Sequence, residues 1–269
     1  MNRNITIAGL GWLGQPFARS LMNMGYSVKG SVTDQNKTKI LKESGLKAFK
    51  VVLTETGTVG STQSFLENTD VLAIMIPPGL RGNTGVNYAL KMAHFLHEIE
   101  ASNIEKVILV SSTSVYDDSQ GKVTEKDRPQ PQLNAAKQLY DVENLFYNAP
   151  SLTTTIVRFG GLYGGSRNPV RFLAGRKDLN NGTAPVNLIH REDCMGILKA
   201  IIGQGAFGYI FNAVIPQHPS KKEYYTKQAV TLGLEPPTYN TNIQEEVFKQ
   251  VDSISIQETL GYEFIHTLE

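Results

Sequence analysis

Short, uninterrupted apolar runs alternate over the first two-thirds of the chain with segments whose apolar residues recur at helical spacing. The runs have the length of strands, and their continuous apolar character indicates strands that are covered on both faces. They lie at residues 5–8, 26–31, 49–53, 71–76, 107–110 and 154–159. Because helical segments separate them, the pattern predicts an α/β fold with a doubly wound parallel sheet.

A glycine-rich turn directly follows the first predicted strand. Gly9, Gly11 and Gly14 have the spacing Gly-x-Gly-x-x-Gly, and a predicted helix follows. The first glycine permits a tight bend, the second lets backbone approach a pyrophosphate, and the third lets the helix pack against the sheet. Backbone N–H groups at the helix start, including those of Trp12 and Leu13, would then face the anion. This strand–turn–helix setting predicts a dinucleotide site.

The alternation weakens after about residue 165. A loop-rich stretch there precedes a predicted helix at 194–202, a strand at 208–213 and a helix near 220–232. We therefore predict a dinucleotide-binding domain at residues 1–165, with part of 187–213 returning to its sheet. Residues 166–269 are predicted to form a small C-terminal α/β substrate lobe that does not fold independently.

The composition is that of an ordinary globular protein of 269 residues, with 41% hydrophobic residues and a net charge of +1. This near-neutral balance gives no reason to expect a nucleic acid or an anionic membrane as partner. Cys194 is the only cysteine, which excludes an internal disulfide and favours a cytoplasmic location. We expect no signal peptide and no transmembrane segment, because the first strand begins at once and the apolar runs are short.

Four further strings resemble the motifs of one family. They are Ser-Ser-Thr-Ser-Val-Tyr at 111–116, Arg-x-x-x-x-Tyr-Gly at 158–164, Ile-His-x-x-Asp at 189–193 and Leu-Gly-Tyr at 260–262. With the glycine loop, they make the chain similar to the extended short-chain dehydrogenases/reductases, the NAD-dependent epimerase/dehydratase family. The resemblance runs nearly end to end. It implies a Rossmann fold, an NAD(P) cofactor and a nucleotide-sugar or similar polar substrate, in a family whose members often form homodimers.

The family's catalytic pair is not found in its usual form. It consists of a tyrosine and a lysine four residues apart on one helix, where the lysine lowers the pKa of the phenol. None of the eleven tyrosines has a lysine four residues later. Lys137 has Leu133 in the tyrosine's place, and Tyr140 has Asn144 in the lysine's place, as in the family's atypical branch. We predict that Lys137, or a water that it holds, replaces part of the pair, with Tyr140 as an alternative proton donor.

The serines after the fifth predicted strand receive roles from the same resemblance. Ser112 stands where the family keeps the hydroxyl that bonds the substrate oxygen, and we predict it as catalytic. Ser111 is assigned to the cofactor and Ser114 to the substrate. The alternative is a polar strand end that contacts only cofactor or backbone. Thr113 and Ser114 replace the acidic pair of the dehydratases, which argues against sugar 4,6-dehydration.

Two other motifs have both a structural and a functional interpretation. Pro77 and Pro78 can form a rigid strand exit, and the resemblance also places them under the nicotinamide ribose. His190 can orient a loop or touch the substrate, and Asp193 can cap the helix that follows it. We assign the two prolines to the cofactor and His190 to the substrate.

The end of the second strand bears on the choice between NAD and NADP. NAD sites usually place an acid about 20 residues after the first glycine. The nearest acid here, Asp34, stands 25 positions after Gly9. Ser31 and Thr33 can hydrogen-bond a 2′-phosphate, and Lys37 can supply charge, although no arginine accompanies them. We predict NADP, with NAD as the alternative and a solvated polar turn as the structural interpretation.

One helix carries a pattern that can mimic a metal site. His94, His97 and Glu98 share a face, but no further ligand cluster or recognised zinc string accompanies them. We interpret this face as exposed and predict no metal.

Two functions of different classes fit these observations. The first is an NAD(P)-dependent oxidoreductase or epimerase that acts on a nucleotide sugar or a similar polar substrate. The second is an NADP(H)-binding sensor or regulatory protein without turnover, which the missing tyrosine–lysine pair favours.

Overall fold

The computed structural model describes residues 3–79, 85–240 and 247–268. Its strands are β1 (Asn4–Ala8), β2 (Ser27–Val32), β3 (Lys47–Thr54), β4 (Gly57–Gly60), β5 (Val71–Ile74), β6 (Lys106–Ser112), β7 (Gly121–Val123), β8 (Thr153–Phe159), β9 (Gly161–Tyr163), β10 (Leu188–His190), β11 (Ile210–Ala213) and β12 (Lys249–Val251). Its helices are α1 (Gly14–Asn23), α2 (Gln35–Glu43), α3 (Thr62–Leu66), α4 (Tyr88–Glu100), α5 (Asn134–Tyr147), α6 (Val170–Leu173), α7 (Arg191–Gln204), α8 (Lys221–Thr231) and α9 (Ser255–Leu260).

Eight strands form one sheet in the order β11-β8-β6-β5-β1-β2-β3-β4. β1 is parallel to both β2 and β5, and the pairs β2–β3 and β5–β6 are parallel as well. Apolar side chains on both faces of β1 and β5 are fully buried, which explains their continuous apolar sequence. The predicted doubly wound parallel α/β fold is confirmed.

The order of the strands reverses beside β1. β2 and β3 follow on one side of β1, whereas β5 and β6 lie on the other. In open α/β sheets, ligands bind outside the carboxyl ends of the strands at such a switch point. Here the Met75 amide donates to the Ala8 carbonyl at 2.8 Å, so the exits of β1 and β5 remain side by side. The glycine loop therefore begins where the topology favours a ligand.

The edge strand β4 is antiparallel to β3 and was not predicted. The connecting turn is closed by Thr54, whose hydroxyl donates to the Gly57 carbonyl at 2.8 Å. Gly57 has φ +134° and Gly60 has φ +112°, conformations that L side chains rarely adopt. This hairpin contains too few apolar residues to give an alternating pattern, so the sequence reading missed it.

The structure divides into two compact units. Unit 1 comprises Met1–Ser112, Leu133–Val157 and Lys199–Ile210, and unit 2 comprises Thr113–Gln132, Arg158–Leu198 and Phe211–Glu269. The sequence boundary at residue 165 falls inside the second stretch of unit 2. The expectation that residues 166–269 form a lobe that does not fold independently stays a prediction.

Each unit has a hydrophobic cluster of its own. In unit 1, residues of β5, α4, β6 and α5 pack together, with Phe95 and Phe146 fully buried. In unit 2, Val170, Ile215 and Tyr225 belong to a smaller cluster. Across the three described ranges, no helix is both long and apolar enough to cross a membrane.

Candidate functional site

The glycine loop connects β1 to α1, and each of its glycines meets a different constraint. Gly9 has φ +107°, and a Cβ atom there would lie 2.9 Å from the Met75 carbonyl oxygen. A Cβ at Gly14 would lie 2.1 Å from the Gly9 carbonyl oxygen. A Cβ at Gly11, in contrast, would meet no described atom within 4 Å. Two glycines are therefore required by the fold itself, and the third leaves open space at the start of a helix.

The end of β2 supports this loop. The Leu10 amide donates to the Ser31 carbonyl at 2.7 Å, and the Gly9 amide donates to the Ser31 hydroxyl at 3.2 Å. Ser31 is only 3% exposed. Gly30 provides room for Leu10, because a Cβ there would lie 2.5 Å from the Leu10 Cγ atom. The loop is thus held against β2 by both backbone and side chain.

A cavity of about 380 Å³ lies beside the loop, a volume typical of small-molecule sites. Seven of the predicted cofactor residues line it: Gly9, Gly11, Ser31, Thr33, Lys37, Pro77 and Pro78. The other four, Trp12, Leu13, Gly14 and Ser111, are not among its described lining residues. Residues 80–84, which follow the predicted strand exit at Pro77 and Pro78, lie outside the described residues. The structure therefore brings most of the predicted cofactor residues into one cavity.

The side chain of Ser111 has a partner that the sequence reading missed. Its hydroxyl donates to the Glu143 carboxylate of α5 at 2.6 Å. Ser111 is 8% exposed and Glu143 is 1% exposed. A glutamate on the apolar face of a helix, between Val142 and Phe146, is the signal that could have revealed this buried pair. The pair ties the end of β6 to α5.

The three predicted catalytic residues lie on these same two elements. Ser112 is half-buried at the end of β6. Lys137 is exposed and Tyr140 is half-buried, one turn apart on α5. Leu133, four residues before Lys137, directly precedes α5 and is 74% exposed. The helix therefore begins directly after the position to which the sequence resemblance assigns the proton donor.

Tyr116, the last residue of the serine-rich string, is fully buried in unit 2. Its hydroxyl donates to the Thr124 carbonyl at 2.8 Å, and Arg158 donates to that hydroxyl at 2.7 Å. Burial raises the pKa of Tyr116, and the nearby Arg158 charge opposes this rise. We conclude that this tyrosine has a structural role, because its buried side chain is held by these two hydrogen bonds. Ser114, two residues earlier, is exposed.

The motif containing His190 and Asp193 corrects one expectation. The helix α7 begins at Arg191, so Asp193 lies inside its first turn and is not the residue that caps it. The Glu192 amide instead donates to His190 Nδ1 at 3.3 Å. Burial, followed by the charge of His266, lowers the pKa of His190. This histidine is half-buried at the end of β10, and its ring lies 5.0 Å from that of Tyr163.

The face of α4 that carries His94, His97 and Glu98 contacts neighbouring protein groups. His94 Nε2 lies 3.1 Å from the Glu55 carbonyl oxygen, and Glu98 accepts a hydrogen bond from Thr58 at 3.1 Å. His97 is exposed. These contacts agree with an ordinary surface face.

The sequence matches a family model described as NAD(P)H-binding over residues 9–194, more than half of the chain. The chain belongs to the NAD(P)H-binding family. It is also 33% identical over 263 residues to protein YeeZ of Escherichia coli strain K12, covering 97% of this chain and 96% of that protein.

Solved structures share the fold of this NAD(P)H-binding family member at low identity. UDP-glucuronic acid 4-epimerase from Bacillus cereus, solved with NAD, has a TM-score of 0.80 at 17% identity, covering 98% of this chain and 92% of that chain. MoeE5, solved with UDP-glucose and NAD, has a TM-score of 0.79 at 19% identity, covering 98% and 94%. The predicted resemblance to the short-chain dehydrogenase/reductase and epimerase group is confirmed at the level of the fold.

Two further residues of the cavity were not identified from the sequence. Tyr88 and Lys91, on the first turn of α4, both line the cavity. The Tyr88 hydroxyl donates to the Ile76 carbonyl at 3.2 Å, and burial raises the pKa of this tyrosine. A lysine one turn into the helix that follows the Pro77–Pro78 exit is the signal that could have drawn attention to them. Lys91 adds a second cation to the cavity, beside Lys37.

Asp34, the acid nearest the second strand, has a structural role. The Asp34 carboxylate accepts a hydrogen bond from the Lys37 amide at 2.7 Å and so caps α2. Thr33 and Lys37 are exposed and line the cavity, whereas Ser31 lines it while holding the loop. The end of β2 and the start of α2 therefore offer hydroxyl and ammonium groups to a ligand in the cavity.

Proposed function

We propose that the protein is an NADP-dependent oxidoreductase or epimerase that acts on a nucleotide sugar or a similar polar substrate. The observation that carries this proposal is the cavity at the switch point, where the open space at Gly11 adjoins Thr33 and Lys37. The space at Gly11 fits the approach of a pyrophosphate, and the other two side chains suit a 2′-phosphate. When bound, the nicotinamide would accept and return a hydride.

In this proposal, the chain's own residues handle the substrate's oxygen and proton. The Ser112 hydroxyl, at the end of β6, polarises the reacting oxygen. Lys137, directly or through a water, and Tyr140 supply the proton transfer that the usual tyrosine–lysine pair performs. We assign Ser114 and His190 to substrate binding.

The choice of substrate class rests on the resemblance and on the relatives' ligands. One solved relative contains UDP-glucose with NAD, which makes a nucleotide sugar the first class to test. We place the protein in the cytoplasm because its single cysteine is buried and unpaired. We also propose that the protein forms a homodimer and that it binds neither nucleic acid nor a membrane.

Removing the Ser112 hydroxyl tests the catalytic proposal. We expect Ser112→Ala to lower the rate at which the productive nucleotide sugar oxidises or reduces the bound nicotinamide by roughly 100-fold or more, the scale of proton-transfer catalysis. Cofactor affinity should change less than about twofold, since this hydroxyl acts on the substrate oxygen. Stopped-flow absorbance of the nicotinamide and equilibrium titration measure the two effects. Ser151→Ala, an exposed serine of unit 1, is the matched control.

The catalytic proposal also requires that the wild-type protein transfers a hydride between the nicotinamide and a nucleotide sugar. If the cofactor-loaded wild type neither oxidises nor reduces nicotinamide with any nucleotide sugar, the catalytic proposal is wrong.

The second candidate is an NADP(H)-binding sensor without turnover. The exposed Leu133 at the start of α5, in place of the catalytic tyrosine, favours it. This function requires tight binding with a clear preference for either NADPH or NADP. Turnover that is lost in Ser112→Ala while cofactor affinity is retained would eliminate it.

A lysine substitution tests the choice of NADP. Lys37→Ala should weaken NADP binding by about tenfold or more, because an ammonium–phosphate hydrogen bond contributes roughly 1.5–3 kcal/mol. NAD binding should be unchanged, since NAD has no 2′-phosphate. Isothermal titration with both cofactors measures the difference, with Lys39→Ala, an exposed lysine of the same helix, as the control. Equal weakening of NAD and NADP, or none, would contradict the assignment.

A further inference from the structure

We propose that His190, Glu192 and His266 form a binding site for a divalent transition-metal ion, for which Zn²⁺ is the first candidate. This site lies in unit 2 and goes beyond the proposed oxidoreductase function, which requires no metal. Each of the three side chains offers one ligand atom, and these atoms all lie within 4.8 Å of one another. His266 Nε2 lies 2.9 Å from the Glu192 carboxylate, and the two imidazole rings have centroids 3.6 Å apart.

The position of His266 is fixed by a buried carboxylate. Asp193 is fully buried, and it accepts hydrogen bonds from the Ile265 amide at 2.7 Å and the His266 amide at 3.3 Å. The Tyr262 hydroxyl donates to the same carboxylate at 3.0 Å. Gly196 makes room for this tyrosine, since a Cβ there would lie 2.2 Å from the hydroxyl oxygen. The segment that carries His266 is thereby held against the start of α7.

The other two ligands come from one short stretch. His190 ends β10 and Glu192 lies in the first turn of α7. The Glu192 amide donates to His190 Nδ1 at 3.3 Å, so an ion bound at Nδ1 replaces this hydrogen bond. The backbone of all three residues is held in place by β10, α7 and the hydrogen bonds to Asp193.

Two imidazoles and one carboxylate form a known donor set for Zn²⁺, with a fourth position open to water or to a ligand oxygen. Ligand atoms of a tetrahedral site with bonds of about 2.0–2.2 Å lie roughly 3.3–3.6 Å apart. The observed ligand atoms lie within 4.8 Å of one another, so the side chains have to rotate to reach this spacing when an ion binds. The Glu192 side chain is 55% exposed and that of His266 is 32% exposed, so an ion has access from solvent.

Metal titration of the full chain tests the proposal. After treatment with a chelator, the wild type should bind one Zn²⁺ per chain in isothermal titration, and Co²⁺ should give visible d–d absorption. Zn²⁺ should also raise the melting temperature, because the ion binds only the folded state. His266→Ala and Glu192→Gln should each weaken binding at least about tenfold, since even loss of a supporting residue has effects of this size. Glu192→Gln keeps the size of an exposed side chain and so leaves the fold intact.

The control is His97→Ala, which removes an exposed histidine of α4 and should leave Zn²⁺ affinity unchanged. The proposal is overturned if the wild type binds no stoichiometric ion, which would leave only an ion pair between Glu192 and His266. It is equally overturned if His266→Ala binds Zn²⁺ as tightly as the wild type.

Discussion

Asp193→Ala should lower the free energy of unfolding by about 3 kcal/mol, since each buried polar group left without its partner costs roughly 1–3 kcal/mol. The substitution removes the acceptor of the Tyr262 hydroxyl and of the Ile265 and His266 amides. These groups lie in partly exposed residues, so water replaces some of the lost hydrogen bonds. Urea denaturation followed by circular dichroism measures the loss.

A local measurement makes this prediction sharper. Hydrogen exchange at the Ile265 and His266 amides should accelerate in Asp193→Ala, because both amides lose their acceptor. Asp193→Asn retains an acceptor oxygen and should lie between the alanine variant and the wild type. Glu192→Gln alters the neighbouring exposed carboxylate and should change stability by less than about 1 kcal/mol. Unchanged exchange at both amides in Asp193→Ala would contradict the role assigned to this carboxylate.

Two alanine substitutions in the glycine loop should separate folding from cofactor binding. Gly14→Ala places a Cβ 2.1 Å from the Gly9 carbonyl oxygen, so the loop and α1 have to move apart. We expect a loss of stability of about 3 kcal/mol, the upper end of the usual range for overpacking, together with loss of cofactor binding. Gly11→Ala meets no described atom within 4 Å and should fold with nearly the wild-type melting temperature.

The cofactor should nevertheless distinguish Gly11→Ala from the wild type. The added methyl group occupies the space proposed for the pyrophosphate, so NADPH affinity should fall at least about tenfold, equivalent to 1.4 kcal/mol. Thermal unfolding and fluorescence titration of NADPH provide the two readouts for both variants. Wild-type affinity in a folded Gly11→Ala would show that the pyrophosphate does not approach the loop at this glycine.

The sequence was most informative where the signal is local. The alternation of apolar runs with helical segments predicted the parallel sheet. The strand before Gly9 and the spacing of the three glycines predicted a ligand site at the place where the cavity lies, because tight turns and helix packing restrict which residues fit. Lys37 was assigned to the cofactor from its place after the second strand and Pro77 from the family resemblance, and both residues line the cavity.

The missed contacts connect residues that are far apart in the sequence. Asp193 was expected to cap a helix, and its actual partners are 69 to 73 residues further along the chain. Ser111 and Glu143 are 32 residues apart, and a single buried glutamate gives no periodic pattern. Such contacts depend on tertiary packing, which hydrophobic periodicity does not specify.

The order along the chain of the segments that form the two units has a consequence for biosynthesis. The last stretch of unit 1, residues Lys199–Ile210, comes after two of the three stretches of unit 2. A growing chain therefore cannot complete unit 1 until Ile210 has left the ribosome, and by then two of the three stretches of unit 2 have emerged as well. For the same reason, no single cut releases either unit whole, and fragments ending near residue 165 lack part of the first unit.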